Sequence, residues 1–299
     1  MTRLIIIGNG FDIAHELPTT FPDFRKFMKI HDESFVDKID KYIVYGTEWN
    51  RIEKDLEDVD VENFREKNYT YLTNPASDEW RESANHDYQY QIDFDSEFLK
   101  DLPQNLRYWI GSVDVNVAPV YLKELFEGEC KFLTFNYTRT LEVAYNIPVY
   151  KILHIHGDVG IEDDKLIVGH NNKERLKPRY GEIPDDEVDW RIREGDELVF
   201  NKLKLFYKDS TNIIENYNDY FDSLGDVSEI YVIGHSMSYI DEIYFCHILK
   251  SVPTECMWNI TYYGDTSEEE RKDYNRKLHS ISSIGIMNYN LINADDLRK

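Results

Sequence analysis

The chain has 299 residues, with 34 Lys and Arg against 57 Asp and Glu and a formal net charge of −23. A nucleic-acid-binding surface needs clustered Lys and Arg to neutralise phosphates and release counterions, so this balance disfavours RNA and DNA as partners. Hydrophobic residues at 41 % exclude wholesale disorder, and the length suits one large domain or two small ones.

In chain order, Leu4 to Ile7 is a continuous apolar run ending in Gly8-Asn9-Gly10, the pattern of a buried strand entering a tight turn. A short helix from about Phe11 to Leu17 follows, cut by Pro18. Thr20 and Asp23 then stand at capping-box spacing, with Pro22 in the first turn, ahead of Phe24, Phe27 and Met28 at helical intervals. From about residue 31 to 125 the alternation breaks. That stretch carries Trp49, Trp80 and Trp109 among mixed charges, with Trp49, Ile52, Glu53 and Leu56 at helical spacing, and reads as a mostly helical insertion.

The strand-and-turn grammar then returns. Lys131 to Phe135 reads as a strand stopping at Asn136-Tyr137, and Thr138 to Tyr145 as a helix. Val149 to Ile155 is the next strand, closing with His156-Gly157-Asp158, and Leu166 to Val168 another, ending at Gly169-His170-Asn171-Asn172. Residues 173–228 form a second insertion, with the acidic loop Glu182 to Glu187 and a helical stretch near Leu203 to Phe221. Ile230 to Ile233 runs into Gly234-His235-Ser236, and a helix starts at Asp241. A strand from Asn259 to Tyr263, a helix opened by Ser267 with Glu270 in capping-box position, and a strand from Ile284 to Tyr289 complete the pattern.

Strands alternating with helices in this way predict an α/β fold, Rossmann-like, with a largely parallel sheet and helices on both faces. Its core is residues 1–30 and 126–299. No apolar run approaches the roughly 18 to 20 residues of a membrane span, and Met1 to Gly8 is too short for a signal-peptide apolar region, so no membrane association is expected. Cys130, Cys246 and Cys256 are odd in number and form no C-x-x-C pair, the usage of reduced thiols in a cytoplasmic protein.

Ligands of open α/β sheets bind outside the carboxyl ends of the strands, so the polar strand ends become candidates together. Gly8-Asn9-Gly10-Phe11-Asp12 is similar to a phosphate-binding turn, although Ile13 stands where the dinucleotide fingerprint has its third small residue. Asp12 is acidic where a phosphate would lie, which suits a ribose contact or a helix cap. His154 and His156 fall two apart in the predicted strand and face one way; with His170 they would make a metal site, against which stands a buried, hydrogen-bonded His154, and no metal is expected. His156, beside Gly157, suits a general base. Gly234-His235-Ser236-Met237-Ser238 departs from the G-x-S-x-G nucleophile elbow at Ser238, so a turn meeting phosphate or ribose is preferred to acyl hydrolysis. Glu53, one helical turn from Trp49, is either a solvated neighbour of a packed indole or a ribose ligand.

The set Gly8 to His15 with Leu17-Pro18-Thr19, Thr134 to Thr138, His154-Ile155-His156-Gly157, and Gly234-His235-Ser236 with Asp241 resembles the AbiH family of bacteriophage abortive-infection proteins. The same order of turns is similar, more distantly, to sirtuin-like NAD-binding domains. That resemblance implies NAD as ligand or substrate, with Asn136 and His156 as the catalytic pair and Gly8, Asn9, Gly10, Phe11, Asp12, Gly234, His235, Ser236 and Asp241 around the nucleotide. The four-cysteine zinc module of sirtuin deacetylases is absent from the sequence. The expectation is an antiphage effector that binds NAD or a related nucleotide and hydrolyses the nicotinamide-ribose bond. Its rivals are a non-catalytic nucleotide-sensing module working through a homo-oligomer or a regulatory partner protein, and a nuclease.

Overall fold

Leu4 to Ile7 are each at most 1 % exposed because they lie in the middle of a parallel sheet, where both faces of a strand are covered and apolar residues need not alternate with polar ones. The computed structural model describes residues 2–44, 48–74, 76–78, 81–117, 119–178, 188–264 and 266–298. Its strands are β1 (Thr2–Ile7), β2 (Cys130–Thr134), β3 (Ile152–His154), β4 (Val227–Ile233), β5 (Met257–Tyr262) and β6 (Tyr289–Asn293). All pair in parallel, in the order β3-β2-β1-β4-β5-β6. The fold is therefore α/β and Rossmann-like, with the strand order of doubly wound dinucleotide-binding domains.

Helices α1 (Asn9–Ala14), α2 (Phe21–His31), α3 (Glu33–Tyr42), α4 (Ile52–Glu57), α5 (Val61–Asn68), α6 (Ala84–Ser96) and α7 (Phe98–Gly111) separate β1 from β2. After β2 come α8 (Thr140–Tyr145), α9 (Trp190–Leu203), α10 (Ser210–Asn216), α11 (Asn218–Asp222), α12 (Glu242–Ser251) and α13 (Ser267–Ile284). The chain divides into two compact units. The first is Met1–Thr20, Ile110–Leu166 and Asp209–Lys299, and the second is Phe21–Trp109 and Ile167–Lys208.

The first unit holds the sheet. Successive strand residues point to opposite faces, so β1 feeds two cores. Ile5 and Ile7 pack with Phe11, Phe126, Phe132, Leu141 and Tyr145 on one face, while Leu4 and Ile6 are equally buried on the other. Alternation along β1 is thus absent for a physical reason.

The second unit is mainly helical. Trp49 is fully buried, its ring 5.3 Å from Phe24 and 6.3 Å from Phe35, and its indole N–H donates to Asp40 at 2.7 Å. The helix predicted to include it begins only at Ile52, so Trp49 is a packing residue. Arg65 holds the fully buried Asp196 through two hydrogen bonds of 2.9 and 2.6 Å, joining α5 to α9.

The structure moves several predicted boundaries. Leu166 to Val168 is not a strand: Leu166 and Val168 are buried, but the segment joins no ladder, and among the described residues only a bridge from His170 to Tyr207 follows it. Burial alone makes such a run apolar. Residue 284 ends α13, where Gly285 caps the helix in the left-handed region at φ +87°, and the last strand starts at Tyr289. The capping box at the start of α13 is Thr266 with Glu269, one residue before the predicted pair. Val149–Lys151 is a 3-10 turn, and β3 ends at His154 rather than Ile155. Trp80 and the acidic loop Glu182 to Glu187 lie outside the described residues.

Candidate functional site

The turn after β1 is stitched to the turn after β4. Gly8 N–H donates to the Ile233 carbonyl at 3.0 Å, Gly10 N–H to the Gly234 carbonyl at 2.8 Å, and Phe11 N–H back to Gly8 at 2.8 Å. A Cβ on Gly10 would stand 2.8 Å from the Gly234 oxygen, and one on Gly234, at φ +67°, only 2.1 Å from the Phe11 nitrogen. The glycines let two backbones touch. This corrects the phosphate-turn expectation for Gly8, Gly10 and Phe11: their amides already bond within the protein, and the Phe11 ring is in the core. Asn9 likewise turns inward, its Nδ2 donating to Thr19 at 2.9 Å.

Asp12 is fully buried and joins this turn to the one after β2. Its carboxylate accepts from the Thr138 hydroxyl at 2.6 Å and the Thr140 hydroxyl at 2.8 Å. Burial pushes its pKa up from 3.8 to about 6, against the lowering effect of those hydrogen bonds. Asp12 is therefore a tie between loops, and the ribose-contact expectation does not fit its position. Asn136 extends the tie, its Nδ2 donating to the Gly8 carbonyl at 3.2 Å and its N–H to the Thr134 hydroxyl at 3.0 Å.

Since β3 stops at His154, the two histidines do not share a strand face. His154 places Nε2 2.9 Å from Glu142 and Nδ1 3.2 Å from the Asn136 carbonyl. Burial lowers its pKa, but these acceptors outweigh it and hold the imidazole above its ordinary value. Ligand atoms of Glu142, His154 and Asp158 lie within 4.8 Å of one another, a spacing open to a metal ion. The Arg139 guanidinium stands there too, 3.6 Å from Glu142 and 3.2 Å from Asp158, and supplies the cation. The third histidine of the metal expectation, His170, belongs to the second unit, where its Nδ1 accepts from the Asn172 N–H at 3.2 Å.

His156 and His235 converge on one carboxylate. Asp241 caps α12 without a side-chain cap bond, and its oxygens lie 3.8 Å from His156 Nε2 and 3.5 Å from His235 Nε2. The Phe135 ring sits 5.2 Å from His156 and 4.2 Å from His235. The Met237 N–H donates to His235 Nδ1 at 2.9 Å, which assigns that ring's proton to Nε2 and aims it at Asp241. The structure thus gathers Asn136, His156, His235 and Asp241 at one end of the sheet, as the strand order requires.

Beside them opens a crevice of about 560 Å³, within the size range of small-molecule sites. It lies at the β1/β4 switch point, where the strand order reverses, the place at which doubly wound sheets bind ligands. Gly10, Gly234, His235 and Ser236 line it, with Thr261 and Tyr263 from the end of β5. Asn136, His156 and Asp241 do not.

A further wall comes from α13, which carries Lys272, Arg276 and Lys277. Sequence reasoning missed these residues, though a signal was present. Lys277, Ile281 and Ile284 are the buried positions of α13, spaced 277, 281 and 284, so a lysine occupies a place on the helix's buried stripe. Its ammonium hydrogen-bonds the His235 carbonyl, and burial lowers its pKa to about 8, with Asp273 raising it and Arg276 lowering it further. In the second unit, Glu53 pairs with the buried Lys208 at 2.7 Å and accepts from the Gly169 N–H at 3.3 Å, which gives it a structural partner.

A protein-family profile described as "Bacteriophage abortive infection AbiH" matches residues 4–262. The chain belongs to the AbiH family. For this AbiH protein the matched span contains the turns after β1, β2, β3 and β4 and stops before α13. No curated protein matches the sequence. Among the described residues no helix is long and apolar enough to cross a membrane.

Proposed function

We propose that this AbiH protein acts in abortive infection by binding NAD or a related nucleotide in the crevice at the β1/β4 switch point. The observation that carries this reading is the crevice's place and size: it opens outside the strand ends where the order β3-β2-β1-β4-β5-β6 reverses. In this reading Ser236, Thr261 and the Gly234-His235 turn meet the nucleotide. Gly10 and Phe11 line the crevice beside them, and Gly8, Asn9, Asp12 and Asp241 support its wall from behind.

Hydrolysis of the nicotinamide-ribose bond falls to Asn136 and His156 in this proposal. Water attacks the ribose C1′, the C1′–N bond breaks with its electron pair leaving on a now neutral nicotinamide, and His156 takes the water's proton while Asp241 steadies the imidazole. Asn136 orients the water or the ribose. The reaction needs no metal, and nicotinamide needs no general acid.

A specific observation favours the rival reading of the same site. Asn136 is 7 % and His156 3 % exposed, and neither lines the crevice, as suits a sensor that binds without turnover and signals to a partner chain or a second copy. The two readings separate when purified protein is incubated with NAD and nicotinamide release is followed. Turnover predicts release that falls about 100-fold or more in Asn136→Ala and in His156→Ala, the usual weight of a general base. Saturable NAD binding without release under any activating condition would establish the sensor instead.

A further inference from the structure

The overall charge of −23 makes any cationic wall in this protein a placed feature, and α13 builds one against the crevice. Lys277 is 2 % exposed. Its ammonium is met by a backbone carbonyl, that of His235, and among the described residues it forms no ion pair. A buried ammonium without a paired carboxylate is costly to the fold relative to an apolar side chain of the same length.

Arg276 precedes Lys277 on the helix and pairs with Asp273, whose other oxygen accepts from the Tyr263 N–H at 2.8 Å. Lys272 stands one turn earlier, in an exposed pair with Glu268 at 2.8 Å. The acidic residues of the same wall are Glu269 and Asp273. Glu269 is engaged in the capping box with Thr266, and Asp273 with Tyr263 and Arg276. The glycine turn cannot supply the charge complement, since the amides of Gly8, Gly10 and Phe11 bond inside the protein and the first turn of α1 carries Asp12.

We infer that the crevice takes its ligand by a phosphate or pyrophosphate group, and that α13 reads that group, with Lys277 at the depth of the crevice and Arg276 and Lys272 at its mouth. The inference rests on the nucleotide reading for the ligand's identity, but on α13 alone for its charge. It assigns recognition to residues beyond the span matched by the family profile.

Calorimetric titration of NAD, ADP-ribose, adenosine and inorganic pyrophosphate into the wild-type chain, Lys277→Met and Arg276→Gln tests it, with melting temperatures recorded for each protein. The expected result is that ADP-ribose and NAD bind and adenosine binds far more weakly. Lys277→Met should then lower ADP-ribose affinity about 10- to 100-fold, the weight of a charge-assisted hydrogen bond, at an unchanged or raised melting temperature. Arg276→Gln, at an exposed position, should lower it about 2- to 5-fold, which also keeps the test open should Lys277→Met fail to fold. NAD and ADP-ribose binding that both variants leave intact would overturn the inference and leave the nucleotide reading standing. Pyrophosphate binding that depends on Lys277 while NAD and ADP-ribose bind no better than pyrophosphate would do the reverse. No binding by any probe would remove both.

Discussion

Gly234→Ala is expected to destabilise the chain by about 2–5 kcal/mol, enough to leave many domains of ordinary stability largely unfolded at 37 °C. Two effects add. An L-residue in the left-handed region costs about 1–2 kcal/mol, and Gly234 sits there at φ +67°. The new methyl would also stand 2.1 Å from the Phe11 nitrogen and 2.5 Å from the Gly10 carbonyl carbon, both backbone atoms held by the stitching of the two turns. Backbone cannot rotate away as a side-chain tip can. Chemical denaturation of wild type and variant measures the effect, and a loss under 1 kcal/mol would show that the turns are not held together as described. By contrast, Gly225→Ala, where nothing lies within 4 Å of the added carbon, should change little.

Asp12→Ala is expected to cost about 2–4 kcal/mol, because it leaves the buried Thr138 and Thr140 hydroxyls without their acceptor and opens a void between loops. Asp12→Asn isolates the charge. In the folded chain the Asp12 pKa is raised to about 6, so between about pH 4 and 6 the native state keeps a proton that the unfolded chain has lost. The group's contribution to stability therefore falls as pH rises through that window and is constant above it. The difference in unfolding free energy between wild type and Asp12→Asn should change with that sign from pH 4 to 6 and level off beyond. A difference independent of pH would mean that Asp12 is not desolvated as its complete burial requires.

Four strands could be read from the sequence because their apolar runs end at turns with their own chemistry. Leu4 to Ile7 before Gly8 and Ile230 to Ile233 before Gly234 needed no tertiary knowledge, since a parallel strand buried on both faces is apolar throughout. Leu166 to Val168 has the same local signal and forms no strand, because pairing requires a neighbour that only the fold supplies. Ile284 belongs to α13 and not to the last strand. The helical period through Lys277, Ile281 and Ile284 accounts for it, and Gly285 marks the stop.

The candidate site was legible as a set of strand ends and opaque as a geometry. That Asn136, His156 and His235 would meet followed from strands whose carboxyl ends share one edge, whereas Asp241, at the start of α12, came in only with the family resemblance. Which of them face a ligand did not follow, because the answer depends on a helix 18 residues long that enters after the last of these motifs. The glycines illustrate the same limit. Gly8 and Gly10 mark a close approach of backbone, as a phosphate turn would require, but the backbone that approaches is the chain's own. An acidic surface and a cationic wall coexist for a related reason: net charge sums the solvated faces, whereas recognition depends on the few groups that line one crevice.

The most direct test of the central claim is a crystal structure of the protein grown with a saturating concentration of NAD. Occupation of the crevice predicts density bounded by Gly10, Gly234 and Ser236 on one side and by Lys277 and Arg276 of α13 on the other, with the pyrophosphate toward the helix. An ordered nucleotide bound elsewhere while the crevice holds only solvent would contradict it.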